Sequence, residues 1–453
     1  MKSFYLQYCK GQIAIIVAIS LIVLIGMVGL AIDSGRGYGV KAKLSAAVDA
    51  AAIAAARGLT IGDDDAERLA NAQASAQKFF NGNFPNNYLG STPTSLNTTA
   101  VHKEDGYWQV NVSATANMPT TFMRVLGQNE INVSATGEVI RRDVDIMLVM
   151  DTSGSIGSAM TGLKNCAKNS FVSKFISGPG GDRLGLVSFA SGAVLDVPIN
   201  KDATRGFNKT QMNNAIDSFS SSGWTASAEG MRRALNEINA IPASYRSSLR
   251  AIVFFSDGAP NATPAVFTRT TLPPSTVTGD LESGTSGSAT GRANEVYRED
   301  RRDTLRGTYT DIATLPNTGL MINLTGIPLV GYNGVRTLTV AGSPPAITNT
   351  RCNVNKAARN MVENVANTAR GQNIYVHSAS LGSAVNNPET SFSGGCSTNN
   401  EVGSTILKRL ANSTDSTTYN AAQPTGIYVS AATIAQCDEA FSKIASEILR
   451  LTK

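Results

Sequence analysis

The sequence predicts an α/β protein: a doubly wound, mostly parallel sheet, preceded by an amino-terminal transmembrane helix and a small α+β stalk module. Three observations lead there. An uncharged apolar run extends from Ile13 to Ile32. Two segments, 107–114 and 131–140, alternate apolar and polar residues as half-buried strands do. From Val144 onward, nearly continuous apolar runs alternate with helical periodicity, the pattern of parallel strands covered on both faces.

At 453 residues the chain exceeds one typical core. We expect an anchor and helix over 1–60, the stalk module over 61–140, and the main domain over 141–453 with an insertion at 260–350. The net charge of +5 comes from 39 basic and 34 acidic residues dispersed along the chain. No basic block with interleaved aromatics is present to follow a phosphate backbone, so nucleic acid is not an expected partner. Two histidines, His102 and His377, leave little room for hydrolytic triads or His-based metalloprotease sites.

Only Ser20, Gly26 and Gly29 interrupt the apolar run. As a helix it reaches about 30 Å, the thickness of a bilayer core. It passes straight into an Ala-dense helical stretch at 41–57, which reads as an uncleaved anchor. Lys2 and Lys10 precede it while Arg36, Lys41 and Lys43 follow, so charge does not set the orientation; long domains cross regardless. Leu44, Val48 and Ala51 form one stripe, suited to a neighbouring helix or to a continuous stalk helix. Residues 81–97 read as a loop, and 122–126 as a short helix between the two stalk strands.

In the main domain, central strands are expected at 144–150, 184–189 and 251–255, with further strands at 374–380 and 426–429. Helices are expected at 158–175, 227–240, 355–370, 404–411 and 433–451. The Thr-, Gly-, Ser- and Pro-rich insertion is too long for a structureless loop, and strand content is expected at 308–313 and 334–340. Cys9 precedes the anchor; Cys166, Cys352, Cys396 and Cys437 follow it. Four cysteines allow three pairings, and four reduced core thiols are the alternative.

Directly after the first central strand stands Asp151-Thr152-Ser153-Gly154-Ser155. Parallel strands end there at the edge that open α/β sheets use for ligands. One carboxylate and two hydroxyls on a tight turn form a hard-oxygen set, appropriate to Mg²⁺. Thr225 and Asp257 end other strands or loops and complete the candidate metal set Asp151, Ser153, Ser155, Thr225 and Asp257. Catalytic readings are weaker. A nucleophile elbow at 152–157 lacks the glycine two residues before Ser155 and would need His377 as base, and no P-loop run occurs.

Two resemblances follow from these residues. Gly11-Gln12, the apolar span, Asp33-Ser34-Gly35-Arg36, Tyr38, Lys43-Leu44 and 47–51 resemble the amino-terminal module of TadE/TadG-like proteins of the Flp-type, tight-adherence pilus assembly system. A prepilin-type cleavage site would carry Glu five residues after its glycine; Ile16 stands there instead. Residues 142–451, including Arg183-Leu184-Gly185-Leu186-Val187-Ser188-Phe189, resemble a von Willebrand factor A (vWA) domain with a metal-ion-dependent adhesion site (MIDAS). Trp224 departs from that pattern, occupying the place of a common Gly.

The resemblance implies a non-enzymatic protein that binds Mg²⁺, or another divalent cation such as Mn²⁺. Ser153, Ser155 and Thr225 would approach the metal directly, and Asp151 and Asp257 directly or through water. It implies a protein ligand offering an acidic side chain, other pilus assembly components as partners, and single-pass anchoring in the bacterial inner membrane with the large domain outside the cytoplasm. The alternatives are a vWA accessory subunit recruiting an enzyme or transport complex, and a pilus-independent adhesin. Cys352 and Cys396 are both expected near the metal face. In vWA domains the first and last helices are neighbours, which would bring Cys166 to Cys437. The insertion, starting just after Asp257, is expected to shape or cover the partner surface, with a tolerated surface expansion as the alternative.

Overall fold

The computed structural model describes residues 12–451 other than 63, 104, 105, 272, 274, 285, 323, 324, 389, 390 and 399. Lys2, Cys9, Lys10 and Gly11 lie outside the described residues. The chain divides into two compact units, Met1–Arg141 and Arg142–Lys453.

In the first unit, helix α1 (Gln12–Gly58) is continuous for 47 residues, about 70 Å at the helical rise. Its first half is bare, with Ile13, Ile22 and Leu24 exposed, and it is long and apolar enough to cross a membrane. From Val40 onward one face is buried: Leu44, Val48 and Ala51 are fully covered. Helix α2 (Asp65–Asn83) packs against α1. The Asp64 carboxylate accepts the Glu67 N–H at 2.8 Å and caps its first turn.

Strands β1 (Thr92–Lys103), β2 (Tyr107–Pro119) and β3 (Glu130–Arg142) form an antiparallel sheet in that order. The expected loop at 81–97 is therefore wrong at both ends. Helix α2 runs to Asn83, and the Thr- and Ser-rich residues from Thr92 onward pair with β2 as an edge strand. Being an edge with much of its length exposed, β1 shows no apolar alternation to read.

The second unit is built on a six-stranded sheet. Strand β4 (Val144–Asp151) pairs in parallel with β5 (Arg183–Phe189) and with β7 (Leu249–Phe255). Tyr375–Leu381 and Tyr428–Ala431 extend the sheet in parallel beyond β7, and β6 (Ala193–Val197) closes the other edge antiparallel to β5. Every residue of β4 is buried. Met147 and Val149 enter one core while Ile146, Leu148 and Met150 enter the other, as a doubly covered strand requires.

Helices α5 (Ser227–Asn239), α6 (Arg351–Gly371) and α7 (Gly403–Ala411) contribute to the first core. Helices α3 (Met160–Cys166), α4 (Lys209–Asp217) and α8 (Ile434–Leu451) contribute to the second. The helix expected at 158–175 is α-helical only over α3, then widens into a π-helical turn at Ala167–Phe171. There Phe171 meets Phe441 of α8 at 6.0 Å. The last strand begins at Tyr428, two residues late, and the Gly426 N–H goes to the Ala411 carbonyl of α7 rather than to the neighbouring strand.

The insertion is part of the fold rather than an appendage. Strands β8 (Ala262–Thr268) and β9 (Thr276–Glu282) join Glu295–Tyr297 and Leu305–Thr308 in an antiparallel sheet. Ala265, Phe267, Leu281 and Val296 from this sheet fill the first core. The insertion has the strand content expected of it, but at the two expected places only the end residues Thr308 and Val340 lie in strands. Residues 309–313 form a turn whose Asp311 carboxylate accepts from Arg269 and Thr271 side chains. Residues 334–339 form turns and loop because Arg336 turns inward to Glu363 and Glu401.

Both cysteine pairs are bonded: Cys166–Cys437 ties α3 to α8 across 5.9 Å between Cα atoms, and Cys352–Cys396 spans 5.7 Å.

Candidate metal centre

Strand β4 ends at Asp151 because the backbone turns there. Thr152 donates both its N–H, at 2.8 Å, and its hydroxyl, at 2.9 Å, to the Phe189 carbonyl at the end of β5. A 3₁₀ turn then begins at Gly154. This places Asp151 and Ser153 in full burial and leaves Ser155 exposed. The Ser153 N–H donates to Asp151 Oδ1 at 2.8 Å, and the Ser256 hydroxyl donates to Oδ2 at 2.5 Å. Ser153 and Ser155 hydroxyls share a 3.1 Å hydrogen bond, and Ser155 donates to Asp257 Oδ1 at 2.9 Å. Four of the five expected residues are thus joined in one hydrogen-bonded chain.

Thr225, the fifth, lies on the loop facing this turn. Ser222 N–H donates to the Thr152 carbonyl and Gly154 N–H to the Gly223 carbonyl, each at 3.0 Å, and the Ser221 hydroxyl donates to the Ser153 carbonyl at 2.6 Å. Asn261 fixes the backbone of Thr225 from the other side: its Oδ1 accepts the Thr225 N–H at 2.8 Å, and its own N–H donates to the Thr225 carbonyl at 3.2 Å.

Ser256 and Asn261 escaped the sequence reading. For Ser256 the available signal is its position one residue before Asp257, at the end of an apolar run; Asn261 has none.

The insertion borders this loop. The Ser191 hydroxyl accepts the Trp224 N–H at 3.0 Å and donates to Asp303 Oδ1 at 2.7 Å. The Trp224 indole donates to the Tyr297 hydroxyl at 3.1 Å, and that hydroxyl donates to Glu295. Trp224 is therefore engaged sideways with the insertion. At Gly223, with φ of 79°, a Cβ would press on Ser191 and Asp303, so this turn requires glycine.

Burial, together with the charge of Asp257, pushes the Asp151 carboxyl up to about 7, and burial pushes Asp257 up to about 6. Two buried carboxyls and adjoining hydroxyls, with backbone groups holding their orientation, fit a hard dication better than a soft metal. His377 is no partner to this turn: it is buried within its strand, where Nδ1 accepts the Ile427 N–H at 3.3 Å.

Two stretches of the chain match known families. The von Willebrand factor type A domain model matches residues 145–274, and the Flp pilus-assembly TadE/G-like model matches residues 11–58. No curated protein matches. Similar solved structures include the vWF domain of the type V pili tip protein Mfa5 from Porphyromonas gingivalis, at 15% identity over 70% of this chain and 98% of that one, with a TM-score of 0.38. The PilB minor pilin from Streptococcus sanguinis is 14% identical over 80% of this chain and 79% of its own, with a TM-score of 0.38. The mussel proximal thread matrix protein 1, in a structure with a zinc-occupied MIDAS motif, is 15% identical over 69% of this chain and 46% of its own, with a TM-score of 0.32. Residues 11–58 are therefore similar to the TadE/G-like segment of Flp pilus assembly, and residues 145–274 to a von Willebrand factor type A domain.

Proposed function

We propose that this is a non-enzymatic, single-pass protein of the bacterial inner membrane whose vWA domain stands outside the cytoplasm. There it binds a protein ligand through a divalent cation, in Flp-type pilus assembly or surface attachment. The observation that carries the reading is the hydrogen-bonded convergence of Asp151, Ser153, Ser155 and Asp257 at the carboxyl end of the parallel sheet, with Thr225 fixed on the facing loop. Ser153, Ser155 and Thr225 would hold Mg²⁺ or Mn²⁺ directly, and Asp151 and Asp257 directly or through water. When bound, the cation supplies positive charge and an open coordination position that suits an acidic side chain of the partner.

The remaining work belongs to the chain itself. Ser256 and the Ser153 N–H orient Asp151, while Asn261 holds Thr225 toward the same edge. Two disulfides in the vWA unit support an oxidising compartment, and helix α1 supports the anchor. The TadE/G-like match supports other pilus assembly components as partners.

The test is a count of surface pili in cells carrying Asp151→Ala, beside a deletion and the native protein, at equal protein levels. Loss of pili in both variant and deletion is expected. Pili persisting in both would remove the pilus role.

A further inference from the structure

The turn between β2 and β3 carries a bare apolar tip: Phe122 is 39% exposed, Val125 82% and Leu126 68%. Its base is pinned to α1. The fully buried Asp33 carboxylate accepts the N–H groups of Thr121 at 3.1 Å, Phe122 at 2.9 Å and Met123 at 2.8 Å. Arg36 reinforces the pin, donating to the Thr121 hydroxyl at 2.7 Å and to the Leu89 carbonyl at 2.9 Å. One helical turn earlier, Phe122 lies over Gly29 so closely that no Cβ fits there.

Gly29 lies inside the apolar run and Asp33 is the first charged residue after it. The tip is thus held where the membrane-spanning part of α1 ends. The rise from residue 29 to 33 is about 6 Å, matching the roughly 5–10 Å depth at which interfacial segments bury apolar side chains. Arg124, exposed between Phe122 and Val125, has the length to keep its guanidinium among the headgroups.

We propose that residues 122–126 insert into the acyl–headgroup boundary of the bilayer that α1 crosses. The contact is a second, monotopic attachment that fixes the tilt and rotation of α1. It rests on the reading of α1 as a membrane span.

The experiment uses the full chain with Cys9→Ser, reconstituted in phosphatidylcholine–phosphatidylglycerol vesicles. A nitroxide is attached in turn to Val125→Cys, Leu24→Cys and Thr99→Cys. Collision with oxygen, which concentrates in lipid, is compared with collision with a water-soluble nickel complex. The expected result is a shift of the Val125→Cys label to the high-oxygen, low-nickel behaviour of Leu24→Cys, with Thr99→Cys open to nickel. A nickel-accessible label at 125 beside a lipid-exposed label at 24 overturns the inference and leaves the anchor standing. Low collision with both reagents at 125 also overturns it, assigning the tip to a protein partner. A nickel-accessible label at 24 removes the anchor reading and the inference with it.

Discussion

Around Glu363 and Glu401 the second unit provides its own cations, whereas around Asp151 and Asp257 it provides hydroxyls. Glu401 meets Arg336 at 2.5 Å, Arg409 at 2.8 Å and Arg359 at 3.0 Å, and Glu363 meets Arg336 at 2.8 Å. Burial pushes the Glu401 carboxyl up, but the neighbouring guanidiniums reverse this and hold it at about 2. Asp151, fully buried, is met by a serine hydroxyl and a backbone N–H, and its carboxyl moves the opposite way. The first cluster sets three guanidiniums against two carboxylates and staples the insertion, through Arg336, to α6 and α7. The second stays short of positive charge at a sheet edge, where a ligand can deliver it.

The largest effect that would sharpen this contrast comes from the first cluster. Glu401→Ala leaves buried arginines short of a partner and is expected to cost about 3–5 kcal/mol, read by denaturant unfolding. In excess chelator, Asp151→Ala is expected to cost nothing or to stabilise, because it removes a buried repulsion. A comparable loss in both variants would break the comparison.

Next in size, Mg²⁺ at a hundred times its dissociation constant is expected to stabilise the native protein by about 2.7 kcal/mol. Asp151→Ala should lose that gain in thermal unfolding, while Arg336→Lys should keep it.

The pH profiles should run in opposite directions. Asp151 is raised from 3.8 to about 7, so its contribution to metal-free stability is present at low pH and lost as pH rises through 7. Glu401 is lowered from 4.5 to about 2, so its contribution is present above pH 4.5 and lost as pH falls toward 2. Unfolding of the metal-free native protein between pH 4 and 7, beside Asp151→Ala, should show a steeper fall in the native chain than in the variant, where buried Asp257 still titrates. Mg²⁺ should flatten it.

The smallest effect is at the rim. Trp224→Phe removes the bond to Tyr297 and is expected to cost about 1 kcal/mol, with the Mg²⁺ shift unchanged.

Where side-chain type alone decides burial, the sequence was legible. The apolar residues of β4 and β7 marked central strands, and the oxygen-bearing residues after them marked the candidate site. Contacts between residues distant in the chain were not legible. Asn261 reaches Thr225 across 36 positions, and Asp33 binds the turn at 121–123 nearly 90 positions away. Strand β9, Thr-Val-Thr-Gly-Asp-Leu-Glu, hid in a polar insertion because Asp280 and Glu282 are buried along with Val277 and Leu281. Residues 334–340 carry strand-forming residues, yet Arg336 finds its carboxylate partners only by turning inward.

The most direct test of the metal site is calorimetric titration of Mg²⁺ into the metal-stripped full chain in detergent, beside Asp151→Ala. The account predicts one saturable site in the native chain and none in the variant. Absence of saturable binding in the native chain, or equal binding in both, would contradict it.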